Sequence, residues 1–396
     1  MAGYYEKTKS GKYRLFASGG VGPNGKRKRF TKTIAVKSDR QAEKELAKFV
    51  ASVETSEYVE PSRTTFKEFV EQQWLPDYAQ VELAPKTLHR YNQLLGRIIK
   101  ALGNLRLEQV RQSHLKAFYA NLREEGVRLD GKPGRLSERT ILHHHRLIAS
   151  IFAYAIKEDF IATNPATKVT VRVKPQQADC YEETQLEQLL AAAGQETLKH
   201  TVLVNLAVFS GLRRGELMGL EWVDVGFEGG TITVRQSSQY VPGQGQSVKD
   251  PKTELSKRTI SLPPFLFEML KEYKREQNKT RLKLGDKWQN SDRLFTTWDG
   301  RPGHPEWPSQ WFPKFIRRHN LPPIPFHSLR HLNATIMINS GVHAKIASAR
   351  LGHSNVSTTL NIYTHLFKSA DKDTADQLEA VYQNITGKKD IKKGQA

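Results

Sequence analysis

Hydrophobic residues recur at helical spacing over much of the chain. From Asp39 to Thr55, apolar residues stand three or four positions apart and Ser38 precedes them as a good N-cap, so this stretch predicts a helix with one apolar stripe. Similar spacing continues between residues 65 and 165. The helices predicted there open at Phe66, start at Pro85, and run over 111–125 and 137–157. Together they predict a compact helical bundle.

Stretches rich in aromatic and β-branched residues interrupt this helical pattern twice. Near the N-terminus, Lys12–Ser18 and Lys28–Val36 predict two strands, and the glycines and proline of residues 19–25 suit the turn between them. We therefore expect a small antiparallel sheet on which the first helix packs. Farther along, Gly230–Arg235 and Arg258–Leu262 predict strands on either side of an excursion rich in Gly, Gln and Pro.

Polar segments divide the 396 residues into separate units, as expected for a chain of this length. Residues 56–64 are polar, contain Pro61 and predict a first linker. Residues 166–180 follow Asn164 and Pro165 and predict a second, basic linker. The predicted units are 1–60, the helical bundle 65–165, a largest unit 181–385 that mixes helices and strands, and a basic tail 386–396.

The charge of the chain points to a polyanionic partner. Lys and Arg number 61 against 41 Asp and Glu, a formal net charge of +20, and counterion release favours the binding of such a chain to nucleic acid. Residues 1–37 hold ten of these cations against one acid, Glu6, and the aromatic residues among them favour a folded DNA-binding module over a solvated face or a disordered arm. The candidate DNA contacts are Lys12, Arg14, Lys26, Arg27, Lys28, Arg29, Lys168, Arg172 and Lys174.

Three features argue against a membrane or secreted protein. The longest apolar run, from Val202 to Phe209, is interrupted by Asn205 and is too short to span a bilayer. The N-terminus lacks the apolar stretch of a secretion signal, and the single cysteine, Cys180, has no partner for an internal disulfide. We expect a protein of the reducing cytoplasm with no membrane contact.

Candidate chemistry concentrates in the unit 181–385. Arg213 lies at the start of a helix directly after the apolar run, and Glu216, one turn farther on, is placed to orient the guanidinium as a fork for phosphate. A purely structural salt bridge is the alternative. Lys252 lies shortly before the strand predicted over Arg258–Leu262 and can deliver a proton to a leaving oxygen, although Lys249 or Lys257 could substitute for it.

His327 and Arg330 stand three residues apart at a helix start, so an imidazole and a second guanidinium face one small anion. The same spacing occurs in the predicted bundle in the run His143-His144-His145-Arg146, where we expect a polar or DNA-facing stripe without a catalytic role. His327 also shares a helix face with His331. No H-E-x-x-H pattern and no cluster of carboxylates or cysteines accompanies that pair, so we expect no metal.

The last candidate is a tyrosine. Tyr363 follows His353 by ten residues in LGHSNVSTTLNIYTH. Any one of the 13 tyrosines is most often a packing or surface residue, and Tyr363 stands out only through the arginines, histidines and lysine that precede it in the chain.

In this order, SGLRRGEL, PKTELSKRTISL, HSLRH and LGHSNVSTTLNIYTH closely resemble the motifs of the tyrosine recombinase family of the phage-integrase type, which serves phages and integrative or conjugative transposons. The resemblance covers nearly the whole chain. By this match, the paired arginines are Arg213 and Arg330, the hairpin lysine is Lys252, the two histidine positions are His327 and His353, the nucleophile is Tyr363, and the acidic support residue is Glu216. The chain departs from the family where Ser328 replaces a frequent Asp and at Leu332 and Asn333, which bears on how that helix is capped.

The resemblance implies a mainly α fold with small β-sheets (α+β). Its parts are an N-terminal three-stranded sheet plus helix that binds arm sites, a helical bundle that binds core sites, and a mixed α/β catalytic domain. It also implies that the protein integrates and excises a mobile element by exchanging strands through a Holliday junction. A homotetramer would carry out this reaction on double-stranded DNA in the cytoplasm of a bacterial host. An excision factor or a host DNA-bending protein is a further partner that such a reaction can require.

The implied chemistry assigns one role to each candidate. Arg213 and Arg330 clamp the phosphate, Tyr363 attacks it with help from His327, His353 donates a hydrogen bond, and Lys252 protonates the leaving oxygen. Because the protein–DNA link stores the bond energy, no ATP is expected. Because arginines take the place of a cation, no metal or other cofactor is expected.

Two other functions compete with this interpretation. A topoisomerase of the type that forms 3′-phosphotyrosyl links shares the chemistry, but a separate basic N-terminal unit argues against it. A DNA-binding regulator with an inactive site is opposed by the presence of all six candidate residues. The residues 370–382 predict a C-terminal helix, which packs either on its own domain or on a neighbouring subunit.

Overall fold

The computed structural model describes residues 3–21, 27–55, 58, 63–174, 181–249, 257–352 and 378–386. The chain divides into two compact units, Met1–Pro175 and Gln176–Ala396. Buried apolar side chains form three clusters, two in the first unit and one in the second. Among the described helices, none combines the length and the apolar character that crossing a bilayer requires.

The first cluster lies between a small sheet and a helix. The antiparallel strands run in the order β1 (Gly3–Lys7), β2 (Tyr13–Val21) and β3 (Arg27–Ile34), and helix α1 (Asp39–Glu54) follows. Ser38 caps α1 by accepting a hydrogen bond from the backbone N–H of Gln41. Leu15 and Ala17 of β2 pack in one cluster with Phe49 of α1, because alternate strand residues face the same side. The expected sheet and helix are confirmed, including the third strand.

The second cluster fills a helical bundle. Its helices are α2 (Phe66–Phe69), continued by a π-helical stretch (Val70–Ala79) and α3 (Gln80–Glu82), then α4 (Pro85–Leu102), α5 (Gln112–Asn121) and α6 (Glu138–Lys157). Thr65 and Glu68 form a capping box at the start of α2, and Pro85 occupies the first turn of α4, where no helical bond requires its missing N–H. Trp74 and Phe152 are fully buried in the core between these helices.

Two features of the bundle differ from expectation. The segment predicted as the second linker begins inside the core, because Ala166, Val169 and Val171 are buried there. In the predicted polar stripe of α6, His144 is fully buried, with Nδ1 2.9 Å from the carbonyl oxygen of Thr140. Burial also lowers the pKa of His144, so this ring belongs to the packing of the bundle.

The third cluster holds the second unit together. The described helices of the second unit are α7 (Glu183–Gly194), α8 (Leu198–Ser210), α9 (Arg214–Gly219), α10 (Pro264–Leu284), α11 (Trp307–Arg318), α12 (Ser328–Asn339), α13 (Ala344–Leu351) and a helix over 378–386. Strands β4 (Val225–Gly226), β5 (Thr231–Val234) and β8 (Arg258–Ser261) form one antiparallel sheet, and β6 (Ser237–Val241) and β7 (Gly245–Lys249) form a hairpin. The two predicted strands are confirmed as β5 and β8. The hairpin lies inside the Gly, Gln and Pro-rich excursion and was not predicted.

Helix α8 lies at the centre of this unit. Its residues Val202–Val208 are all buried, and α7, α10 and α12 pack around it, as is typical of a helix that is apolar on every side. Asn205, the polar residue in this run, donates Nδ2 to the carbonyl oxygen of Thr201 at 2.9 Å. This bond satisfies the polar side chain inside the apolar helix, and α8 leads at Gly211 directly into the candidate site.

Candidate functional site

A tight turn at Gly211 connects α8 to the candidate site. Gly211 has a φ of +63°, a conformation that favours glycine. A Cβ at this position would lie 2.5 Å from Oδ1 of Asn333 and 2.6 Å from Cδ2 of Leu351. Both the backbone conformation and the close approach therefore require a glycine, and the turn brings Arg213 to the N-cap of α9.

Arg213 is fixed by three hydrogen bonds. Its backbone N–H donates to Oε2 of Glu216 at 2.9 Å, and its Nη1 donates to Oε1 of the same carboxylate at 2.8 Å. Its Nη2 donates to the carbonyl oxygen of Gly352 at 2.8 Å. The side chain of Arg213 nevertheless remains 40% exposed. The predicted orientation of Arg213 by Glu216 is present, with a guanidinium that an anion in solution can reach.

Arg330 lies in the first turn of α12 and is buried. Its Nη1 donates to the carbonyl oxygen of Gly211 at 2.7 Å, and its Nη2 donates to that of Leu351 at 2.6 Å. Loss of hydration, and then the positive charge of Arg213, lower the pKa of Arg330 to about 9. The two predicted arginines are thus anchored to the same turns of the chain, at Gly211 and at residues 351–352.

A third arginine, which no local sequence pattern indicates, completes the cluster. Arg258 opens β8, and its Nη2 donates to Oε2 of Glu216 at 2.9 Å while its Nε donates to the carbonyl oxygen of Arg350 at 2.8 Å. Only 8% of the Arg258 side chain is exposed. We call Arg213, Glu216, Arg258 and Arg330 the arginine cluster.

The arginine cluster carries more positive than negative charge. Burial by itself would raise the pKa of Glu216, but hydrogen bonds and charge from Arg258, together with those from Arg213, lower it below the ordinary value. One ionised carboxylate therefore faces three guanidinium groups. Such a surplus of fixed donors is suited to a phosphate, which supplies the missing negative charge.

His327 stands at the edge of the arginine cluster as the N-cap of α12. The residue is exposed, and its ring centroid lies 5.0 Å from that of His331 in an edge-to-face arrangement. Partial loss of hydration, followed by the nearby charges of His331, Arg330 and Arg213, lowers the pKa of His327 to about 4. The imidazole is neutral at pH 7 and is able to accept a proton.

Three predicted catalytic residues, Lys252, His353 and Tyr363, lie outside the described residues. The described chain stops next to one of them, at Gly352, whose carbonyl oxygen accepts a hydrogen bond from Arg213. Gly352 has a φ of +66° and ends α13. The helix over 378–386 overlaps the predicted C-terminal helix, of which residues before 378 also lie outside the described part.

Asn333 is a second residue of the site that the sequence motifs did not predict. It is buried on α12, donates Nδ2 to the carbonyl oxygen of Val208 at 2.8 Å, and stands against Gly211. It therefore ties the helix that carries Arg330 to the end of α8. The neighbours of Asn333 in the chain include both apolar and polar residues, so no local pattern indicates this contact.

The N-terminal sheet presents candidate DNA contacts on the face opposite α1. Arg14 and Phe16 alternate along β2 with the residues that face α1, and Arg14 is exposed. Tyr4 stacks on Phe16 with 4.6 Å between ring centroids, and the guanidinium of Arg29 lies 4.5 Å from the Phe16 centroid. This face combines cations with aromatic rings, a combination suited to nucleic acid.

The remaining candidate DNA contacts divide into two groups. Lys12 is exposed just before β2, and the segment after the bundle exposes Lys168, Arg172 and Lys174. Lys26, and the side chains of Arg27 and Lys28, lie outside what the structure describes.

Comparison with solved structures identifies the fold class. The integrase of transposon Tn1549, solved in complex with circular intermediate DNA, matches with a TM-score of 0.66 over 79% of this chain and 99% of that chain at 22% identity. A lambda integrase dimer bound to a core site matches with a TM-score of 0.55 over 76% of this chain and 95% of that chain at 19% identity. The expected integrase fold is confirmed.

Sequence comparison identifies the family. Residues 180–370 match the phage integrase family, and residues 65–123 match the N-terminal SAM-like domain of phage integrases. A tyrosine recombinase XerC-like protein of Caldanaerobacter subterraneus subsp. tengcongensis is 27% identical over 96% of this chain and 100% of that protein. The ICEBs1 integrase of Bacillus subtilis is 25% identical over 69% of this chain and 72% of that protein. The chain belongs to the phage integrase family of tyrosine recombinases, enzymes that cleave and rejoin DNA strands.

Proposed function

We propose that this recombinase integrates and excises a mobile element by joining its catalytic tyrosine to the 3′ phosphate of a cleaved DNA strand. The observation that carries the proposal is the arginine cluster, in which Arg213 and Arg330 are anchored beside each other with one carboxylate for three guanidinium groups. A scissile phosphate supplies the charge that this cluster lacks. The cluster therefore binds the phosphate more strongly as charge develops on its oxygens during attack.

The described residues perform two of the steps. Arg213 and Arg330 hold the non-bridging oxygens, which fixes the phosphorus for in-line attack. His327 is neutral at pH 7 and takes the proton of the tyrosine hydroxyl as the new P–O bond forms. Bringing the phosphate into the site raises the pKa of His327, because a negative charge favours the protonated ring. Proton transfer and phosphate binding are in this way mutually favourable.

The remaining roles fall to residues that the sequence motifs assign. Tyr363 attacks the phosphate, His353 donates a hydrogen bond to it, and Lys252 protonates the 5′ oxygen as the P–O bond to it breaks. The product is a phosphotyrosyl link and a free 5′ hydroxyl. The hydroxyl of the partner strand then reverses the chemistry, so no external energy source enters the reaction.

The partner of the reaction is double-stranded DNA in a multimeric complex. Related structures support this, because lambda integrase was solved as a dimer on a core site and as a tetramer on a Holliday junction. Similarity to the ICEBs1 integrase and to the transposase from transposon Tn916 supports the proposal that this recombinase comes from a mobile element. We infer a tetramer that exchanges strands through a Holliday junction, with the helical bundle on the core site.

The N-terminal unit, residues 1–60, binds arm sites with the cationic and aromatic face of its sheet. Arg14 and Arg29 lie on this face, and Lys12 is exposed just before it. Removal of residues 1–60 is expected to leave core-site cleavage intact and to lower integration of a substrate that carries arm sites. Integration unchanged by the truncation would contradict arm binding by this unit.

A denaturing gel tests the proposed chemistry. Purified protein is mixed with a nicked, labelled attachment-site DNA without metal or ATP, and wild type is compared with Tyr363→Phe. We expect a covalent adduct from wild type and none from the variant, which lacks only the nucleophilic oxygen. An equal adduct from both proteins, or no adduct from wild type on DNA that it binds well, would contradict the proposal.

A further inference from the structure

Arg258 connects two parts of the active site that are distant in sequence. Through Nη2 it holds Oε2 of Glu216, whose other oxygen holds Arg213. Through Nε it holds the carbonyl oxygen of Arg350, two residues before Gly352, which accepts a bond from Arg213. The bonds form a closed ring from Arg213 to Glu216, to Arg258, to the backbone of residues 350–352, and back to Arg213.

From this ring we infer that Arg258 is a positioning residue, which sets the orientation of the phosphate-binding Arg213 without contacting DNA itself. The inference rests on the proposed function. The Arg258 side chain is 8% exposed, against 40% for Arg213, so the two guanidinium groups that share one carboxylate have different access to a ligand. Arg213 faces outward to the phosphate, and Arg258 supports it from within.

Close packing makes the position of Arg258 specific. A Cβ on Gly352 would lie 2.8 Å from Nη1 of Arg258, so the guanidinium fits directly against the turn that ends α13. Lysine keeps the positive charge at this position but offers one compact ammonium group in place of a planar fork. It cannot bond to Glu216 and to the carbonyl oxygen of Arg350 in the same geometry. Arg258→Lys therefore separates the charge of the residue from its positioning role.

The chain offers a matched control. Arg350 on α13 donates Nη2 to the carbonyl oxygen of Ser261 on β8 at 2.7 Å, while Arg258 on β8 donates to the carbonyl oxygen of Arg350. Both arginines thus tie the same helix to the same strand, and both are partly or largely buried. No described bond joins Arg350 to Glu216. Arg350→Lys therefore weakens the same packing without disturbing the arrangement around Arg213.

The test compares single-turnover cleavage of two DNA substrates by wild type, Arg258→Lys and Arg350→Lys. One substrate has a normal scissile phosphate, and the other has a methylphosphonate, which carries no negative charge and has less need of an oriented guanidinium. Arg258→Lys is expected to slow cleavage of the phosphate by about 10²-fold, because a small displacement of a positioning group has that effect. On the methylphosphonate its deficit is expected to shrink below about ten-fold. Arg350→Lys should lose the same factor on both substrates.

An equal loss on both substrates by Arg258→Lys, or no loss on either, would overturn the positioning role and leave the proposed function standing. Sulfate provides a second readout that needs no cleavage, and so separates this inference from a failure of the proposed function. Added sulfate is expected to raise the Tm of wild type and of Arg350→Lys, and to raise that of Arg258→Lys much less. Equal sulfate stabilisation of all three proteins would contradict the inference even if no adduct forms with DNA.

Discussion

Replacing Glu216 with glutamine tests whether a single carboxylate keeps the arginine cluster stable. Glutamine preserves the size of the side chain, but it removes the negative charge and turns an amide nitrogen toward guanidinium donors. The Glu216 side chain is 7% exposed and forms ion pairs with Arg213 and Arg258 at 2.8 and 2.9 Å. The substitution leaves three guanidinium groups close together without a counter-charge.

The expected cost follows from the burial of the partners. Breaking a buried ion pair by removing one partner costs about 3–5 kcal/mol. Arg213 is 40% exposed and can turn toward water, whereas Arg258 is 8% exposed and cannot. We therefore expect the lower end of the range, about 3 kcal/mol, which corresponds to a fall in Tm of about 6–12 °C for a unit of this size.

Thermal unfolding of the full chain, followed by circular dichroism, measures this effect. Glu268→Gln is the control, because Glu268 is 72% exposed and pairs with Lys271 at the surface, where such pairs contribute little. Added sulfate is expected to recover part of the loss in Glu216→Gln, since an anion replaces the missing charge, and to raise the Tm of the control only as much as that of wild type. A Tm within about 2 °C of wild type would refute the view that Glu216 stabilises the cluster.

Three further predictions follow from the site. Gly211→Ala should lower the Tm much more than Gly243→Ala does. Both glycines have a positive φ, but of the two only Gly211 has other atoms where a Cβ would lie. Similar falls in Tm would contradict the close approach at Gly211. Arg330→Lys should retain DNA binding yet reduce cleavage by about 10²-fold, since lysine cannot reproduce the two bonds to carbonyl oxygens; full activity would show that the fork is dispensable. The pKa of His327, measured by NMR with His327→Gln for assignment, should lie well below 6.5 in the free protein, so the ring stays neutral as the pH falls through 6.5. This pKa should rise when DNA with a scissile phosphate binds. A pKa near 6.5 in the free protein would contradict the placement of His327 beside the arginine cluster.

Local rules account for much of the fold. The cap at Ser38, the capping box at Thr65 and the proline that opens α4 each depend on a few neighbouring residues, so the sequence predicts where those helices begin. The interaction between Arg213 and Glu216 is local in the same way, being three residues apart on one helix start. The pairing of Arg213 with Glu216 could be predicted for this reason, whereas Arg330 was proposed from the motif that surrounds it.

Contacts between distant segments cannot be predicted from neighbouring residues alone. Arg258 is 42 residues from Glu216 in the chain, and its partner Arg350 is 92 residues away. Nothing in the neighbourhood of Arg258 distinguishes a buried arginine from a surface one. The burial of His144 and of Val171 likewise depends on what the rest of the bundle places against them.

Peptide mapping of the trapped adduct identifies the residue that forms the covalent link to DNA, for which we propose Tyr363. The adduct is digested with protease and nuclease, and mass spectrometry locates the residual nucleotide. We expect a nucleotide attached through its 3′ phosphate to the peptide that contains Tyr363, with a 5′ hydroxyl on the released strand. A nucleotide on any other residue, or a link through a 5′ phosphate, would contradict it.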